Sequence, residues 1–104
     1  MGAFRESYII EKYNIIYQEI AQIDLFVIVT YIKYKLCNPT AASRFMSEIR
    51  KSILILQEFP YIGAKYEGDS NRFKIYKNFL IFYEIQEKEK RIIIKRIIHK
   101  NVNM

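Results

Sequence analysis

The sequence predicts an α+β domain in which a helical hairpin lies on one face of a mainly antiparallel four-stranded sheet, in the order β-α-α-β-β-β. Three observations predict it. Apolar residues alternate near the N-terminus and through the last third, as in half-buried strands. Between those parts the apolar spacing changes to three and four, the period of a helix. An Asn-Pro pair divides that helical stretch in two. At 104 residues, with 51% hydrophobic and 27% charged, the chain has the size and composition of one ordered domain.

Residues 1–11 precede the first clear strand and read as an N-terminal extension, leaving 12–104 as the domain. Lys12 to Tyr17 reads as a strand, with Tyr13, Ile15 and Tyr17 alternating against Asn14 and Ile16. From Gln18 to Leu36, Ile20, Ile23, Val27, Tyr31 and Tyr34 fall on one side of a helix; the tyrosines at 13, 17, 31 and 34 are expected to pack. Asn38-Pro39 ends that helix and opens the next, Asn38 as N-cap and Pro39 at the first helical position. Ala42, Phe45, Ile49, Ile53 and Leu56 form its buried stripe, which runs to Phe59-Pro60. Gly63 to Asn71 is polar and reads as a loop. Three strands follow, Arg72 to Lys77, Phe79 to Gln86 and Arg91 to His99, the last two joined by a solvated Glu87-Lys88-Glu89-Lys90 loop.

Charge is unevenly placed. Residues 1–70 hold eight Lys/Arg and eight Asp/Glu, whereas residues 71–104 hold nine against three, which is the whole net charge of +6. That end suits an anionic partner, although lysines also protect sheet edges. The apolar stretch from Ile20 to Leu36 contains Asp24, Lys33 and Lys35, so it is not a membrane span. No secretory signal is expected at the N-terminus, and the single cysteine, Cys37, supports neither a disulfide nor a zinc site. A cytoplasmic protein is expected.

On the first of the three late strands, if Phe73 and Ile75 meet the helices, then Arg72, Lys74 and Tyr76 form a cationic, aromatic patch on the open sheet face. Such a patch suits phosphate contact and base stacking, with Lys77, Lys95 and Lys100 as further phosphate contacts. Arg72 and Lys74 either stabilise a phosphate or are simply solvated. His99, the only histidine, is either a general acid or base or a strand histidine bonded to a loop carbonyl. On the last strand Lys95 and His99 share a face with Ile93 and Ile97, while Arg96 shares the other with Ile92, Ile94 and Ile98. The two sets need a bulge or a strand end to be reconciled. Glu84 and Glu87 lack the clustering of a metal site, and Cys37 lacks a nearby histidine.

The run Ile23-Asp24-Leu25 with Tyr31-Ile32, then Asn38-Pro39 with Ala41-Ala42-Ser43-Arg44-Phe45, then Glu58-Phe59-Pro60 with Gly63, resembles the helical half of RelE/ParE toxins. Arg72, then Asn78 through Ile85, then Arg96-Ile97-Ile98-His99 resembles the strand half. The resemblance covers about residues 12 to 100. It implies a toxin neutralised by a cognate protein antitoxin that itself binds operator DNA. One branch of the family cleaves ribosome-bound mRNA and the other inhibits DNA gyrase. Leu80 stands where the RNA-cleaving branch commonly has arginine, which resembles the ParE side. Arg72 and Lys74 resemble basic strand positions of RelE, and His99 resembles the C-terminal histidine of YoeB-like members. The charge on the strands that carry His99 favours mRNA cleavage by Arg72, Lys74, Arg96 and His99, without metal or cofactor because the nucleophile is the RNA 2′-hydroxyl. Gyrase inhibition, or antitoxin binding alone, is the alternative.

Overall fold

The computed structural model describes residues 12–101, so the expected extension over residues 1–11 lies outside the described residues. Strand β1 (Asn14–Tyr17) leads into helix α1 (Glu19–Thr30), which continues as a π-helical turn, Tyr31–Lys35. Helix α2 (Pro39–Leu54) continues as a 3₁₀ turn, Ile55–Gln57, and a second short turn, Pro60–Ile62, precedes the strands. These are β2 (Ala64–Glu67), β3 (Asn71–Tyr76), β4 (Phe79–Gln86) and β5 (Arg91–His99). The helical hairpin, the late strands and the α+β class are as the sequence predicts.

The hairpin turns where it should. The Asn38 side chain accepts a hydrogen bond from the Ala41 amide at 3.0 Å and Pro39 occupies the first turn of α2. Cys37 takes a left-handed conformation (φ 52°) that stops α1. The expected α2 stripe is the buried one: Ala42, Phe45, Ile49, Ile53 and Leu56 are all inside. Of these, Phe45, Ile49, Ile53 and Leu56 meet Ile81, Tyr83 and Ile85 of β4 and Ile92, Ile94 and Ile97 of β5 in one core.

The sheet has five strands, one more than expected, in the order β1-β5-β4-β3-β2. β1 pairs in parallel with β5, and the remaining pairs are antiparallel. The added strand is β2, in the segment expected to be a loop. All four of its residues are exposed, and the alternation of Ala64 and Tyr66 with Lys65 and Glu67 spans only four residues beside a turn-rich run, so backbone pairing with β3 is what defines the strand. Tyr83, fully buried, fixes the approach to β2: its hydroxyl donates to the Pro60 carbonyl at 2.7 Å and accepts the Gly63 amide at 3.0 Å. A Cβ on Gly63 would stand 2.5 Å from that hydroxyl and 2.6 Å from the Phe73 carbonyl oxygen, so only glycine fits.

Candidate functional site

The alternation of β3 is real, but its faces are the reverse of the expectation. Arg72, Lys74 and Tyr76 point to the helix side, and Phe73 and Ile75 to the open face. Arg72 is 7% exposed, and its guanidinium donates to the carbonyls of Asp69 (3.0 Å), Tyr61 (3.0 Å) and Gly63 (2.9 Å) and to the Asp69 carboxylate (3.1 Å). This buried fork fastens the turn before β2 and the loop after it to β3. The Lys74 ammonium donates to the Ser52 carbonyl at 2.6 Å, near the end of α2, where helix carbonyls lack intrahelical partners. Burial pushes its pKa down. The Tyr76 hydroxyl donates to Glu48 of α2 at 3.0 Å, and Lys77, in the β3–β4 turn, reaches the same carboxylate at 3.4 Å. The Tyr76 hydrogen bond, more than the lysine, holds the Glu48 carboxyl below its ordinary range.

On β5 the bulge is present. Tyr83 faces Ile94 and Phe82 faces Arg96, so Lys95 is the extra residue and the alternation restarts after it. Ile92, Ile94, Ile97 and His99 are thereby on the helix side, and Ile93, Arg96 and Ile98 on the open one. Arg96 is held by Asp24 of α1 through both carboxylate oxygens, at 2.9 and 3.1 Å. His99 sits edge-on to Phe79 and its Nδ1 accepts the Asn101 amide at 3.1 Å, which places a neutral ring's proton on Nε2. Lys100 is exposed, its own amide bonded to the Asn78 carbonyl. The expected catalytic residues are not gathered. Arg72 lies opposite Tyr83 and His99 opposite Phe79, roughly 13 Å apart along β4 at 3.3 Å per residue.

The open face is apolar at its centre. Phe82 has the Tyr66 ring at 5.2 Å and the Phe73 ring at 5.9 Å, with Ile75, Leu80, Ile93 and Ile98 around them. Arg91, bonded to Gln86, and Arg96 stand beside this patch.

One polar cluster escaped the sequence reading. Glu87, expected to be a solvated loop residue, accepts the hydroxyls of both Tyr13 and Tyr61 and pairs with Lys90 at 2.9 Å. The two phenols, ahead of Lys90, hold its carboxyl down at about 2. The same bond pushes Tyr61 up to about 12. Nothing in the spacing of residues 13, 61 and 87 announces this meeting.

The helix side carries the larger surprise. Ile20, Ile23, Val27, Tyr31 and Tyr34, expected to be the packed side of α1, are all exposed. So is Phe26, at 69%. Ala21 and Leu25, supported by Ile28, Val29 and Ile32, meet the core instead. Tyr31 and Tyr34 therefore do not pack, whereas Tyr13 and Tyr17 do. The reason is that α1 is apolar around nearly its whole circumference, so two interleaved stripes satisfy the same period. Between α1 and α2 runs an apolar cleft of about 630 Å³ lined by Tyr17, Ile23, Phe26, Val29, Met46 and Arg50. Two further pockets share part of this lining, one of about 270 Å³ at Tyr17, Arg50 and Leu54 and one of about 490 Å³ at Val29, Met46, Lys33 and Ser43. No helix among the described residues is long and apolar enough to cross a membrane, so this apolar surface is not explained by a span.

Comparison with known proteins agrees with this architecture. Among solved structures the chain is similar to one from the chromosomal ParDE toxin-antitoxin system of P. aeruginosa, at a TM-score of 0.72 and 21% identity over 86% of this chain and 98% of that one. It is also similar to a chain of the RelBE2 toxin-antitoxin complex of Mycobacterium tuberculosis, at a TM-score of 0.63 and 15% identity over 88% and 94%. At these identities the likeness is one of fold. No curated protein sequence matches the chain. The family model for the ParE toxin of the type II toxin-antitoxin system parDE matches residues 15–104. The chain thus belongs to the ParE toxin family of type II toxin-antitoxin systems.

Proposed function

We propose that the chain arrests growth by binding its target, DNA gyrase, in the cytoplasm without cutting nucleic acid, and that a cognate protein antitoxin neutralises it. One observation carries this reading. Arg72 and Lys74, the cations expected to hold a phosphate, are engaged inside the protein by backbone carbonyls. Arg96 is bound by Asp24, and the open face they were expected to populate is centred on Phe73, Leu80 and Phe82. A surface of that kind suits protein contact better than phosphodiester chemistry. Both solved neighbours come from toxin-antitoxin systems, which supports an antitoxin as partner.

Ribosome-dependent mRNA cleavage is the second reading, favoured by His99 standing beside the exposed Lys100 at the end of β5. Inducing the chain and assaying purified gyrase separates the two. Inhibited supercoiling with mRNA intact is the expected result. Discrete mRNA breaks that vanish in His99→Ala, with supercoiling unaffected, would overturn it. Co-expression with the protein encoded by the adjoining reading frame should restore growth.

A further inference from the structure

The two ends of the molecule differ in how their charges are matched. At the end that holds the β4–β5 loop, Lys12 pairs with Glu58, Lys65 with Asp69 and Lys90 with Glu87. The other end gathers the tip of the helical hairpin, the β3–β4 turn and the last residues of β5. Phe45 of α2 has the Phe79 ring at 5.2 Å, the Tyr76 hydroxyl reaches Glu48, and the Lys100 amide donates to the Asn78 carbonyl at 2.7 Å. From Phe45 back to Pro39, α2 adds about 9 Å at 1.5 Å per residue, so the hairpin tip stands beyond the turn. Lys33, Lys35, Arg44, Lys77 and Lys100 are all exposed at this end. The segments that build it, 25–47, 71–83 and 95–104, contain no Asp or Glu. Asp24 lies further back along α1 and is held by Arg96. That leaves Glu48, which Lys77 reaches at 3.4 Å; among the described residues the other four cations form no ion pair.

We propose that this basic end binds the phosphate backbone of duplex DNA without reading its sequence. The inference rests on the gyrase reading and adds a second contact to it: the apolar sheet face meets the protein, and the basic end meets the DNA on which gyrase works. Three features favour a run of phosphates. The tip and the turn are offset by about 9 Å, which spans two or three phosphates of one strand, whereas a single carboxylate would meet only one of the cations. Tyr31 and Tyr34, 54% and 67% exposed on the π-helical turn, offer hydroxyls to the same phosphates. The N-terminus of α2 faces the same way and adds a partial positive charge. Cations left without carboxylates on three separate segments form the electrostatic footprint of a backbone-binding surface.

The test follows a fluorescein-labelled duplex of about 20 base pairs and random sequence by anisotropy, with the full chain, between about 50 and 200 mM salt. Binding is expected at the low end, with log K falling against log salt at a slope of about −4. Lys33→Gln with Lys35→Gln should weaken binding about tenfold or more and flatten the slope by about 2, and Lys77→Gln with Lys100→Gln should do the same. The charge-matched pair Lys12→Gln with Lys88→Gln, at the other end, should change neither quantity. All six lysines are exposed, and circular dichroism confirms that the variants fold. No binding of the native chain at low salt, an equal loss in the charge-matched pair, or tighter binding of a single-stranded RNA of the same length overturns the proposal. So does undiminished DNA binding by the tip variant together with loss of its binding to gyrase, the result an acidic protein contact would give. If the duplex behaves as expected and supercoiling is not inhibited, the basic end keeps its assignment and the gyrase reading alone falls. If supercoiling is inhibited by a chain that does not bind the duplex, the gyrase reading stands and this proposal alone falls.

Discussion

Asp24 and Arg96, 72 residues apart, form a two-oxygen ion pair in which one oxygen of the same carboxylate also accepts the Ile97 amide at 2.9 Å. β1 pairs with β5 only as far as Ile94, and beyond that point α1 runs beside the strand. Asp24 thus supplies to the edge of β5 the acceptor that a neighbouring strand would have supplied. Asp24→Ala should lower stability by about 1–3 kcal/mol, because it strands an amide and a guanidinium. Asp24→Asn should cost less, since its carbonyl still accepts the Ile97 amide. Urea denaturation of the two variants measures the difference, and equal losses would show that the charge, not the amide bond, matters.

Arg72 holds three carbonyls and a carboxylate together, so its removal is expected to act on folding. Arg72→Ala should cost about 3 kcal/mol or more, and Arg72→Lys nearly as much, because an ammonium cannot reproduce the fork. Lys74→Ala should be milder, at about 1 kcal/mol for the single carbonyl bond. If Arg72→Ala keeps its urea midpoint while toxicity disappears, the residue works on a ligand after all.

The contrast between Arg72 and α2 shows what the sequence could and could not convey. On α2 the apolar stripe has a polar opposite face, so period alone assigns its burial, and Asn38-Pro39 marks its start. On β3 both sets alternate equally well, and the inward one is the basic set. It is tolerated there because the Pro60–Gly63 turn and the end of α2 present carbonyls to it, which depends on contacts between residues 9 to 22 positions apart. The bulge at Lys95 was legible as a conflict between two faces, and Leu80 was legible as a departure toward ParE. The β2 pairing was not, because Ala64 to Glu67 alternate over only four exposed residues, and the Glu87 cluster was not, because it leaves no periodic trace.

Glu87 makes a pH prediction of definite sign. Its folded carboxyl is held at about 2 against an ordinary 4.5, so it contributes stability above the ordinary value that is lost as pH falls through about 2. Tyr61, raised from 10 to about 12, contributes stability below 10 that is lost as pH rises through about 12. Urea midpoints of the native chain and of Glu87→Gln should therefore differ most between about pH 5 and 9 and converge toward both extremes. A difference that stays constant from pH 7 to pH 2 would show that the phenols do not bond the ionised carboxylate.

The two stripes of α1 can be told apart by substitution. Ile20 and Val27 belong to the stripe that period alone would bury, yet they are 46% and 58% exposed. Leu25, on the other stripe, is 3% exposed and packs in the core. Leu25→Ala should therefore cost about 2–5 kcal/mol through the cavity it leaves. Ile20→Ser and Val27→Ser should stay within about 0.5 kcal/mol, as exposed positions do. Thermal unfolding followed by circular dichroism separates these outcomes. Large losses at Ile20 and Val27 with little at Leu25 would mean that α1 is rotated by about half a turn from the arrangement described. That rotation would also swing Phe26 to the other flank of α1, away from Met46 and Arg50, and undo the cleft. The same three variants therefore test whether the apolar surface offered to a partner exists in solution.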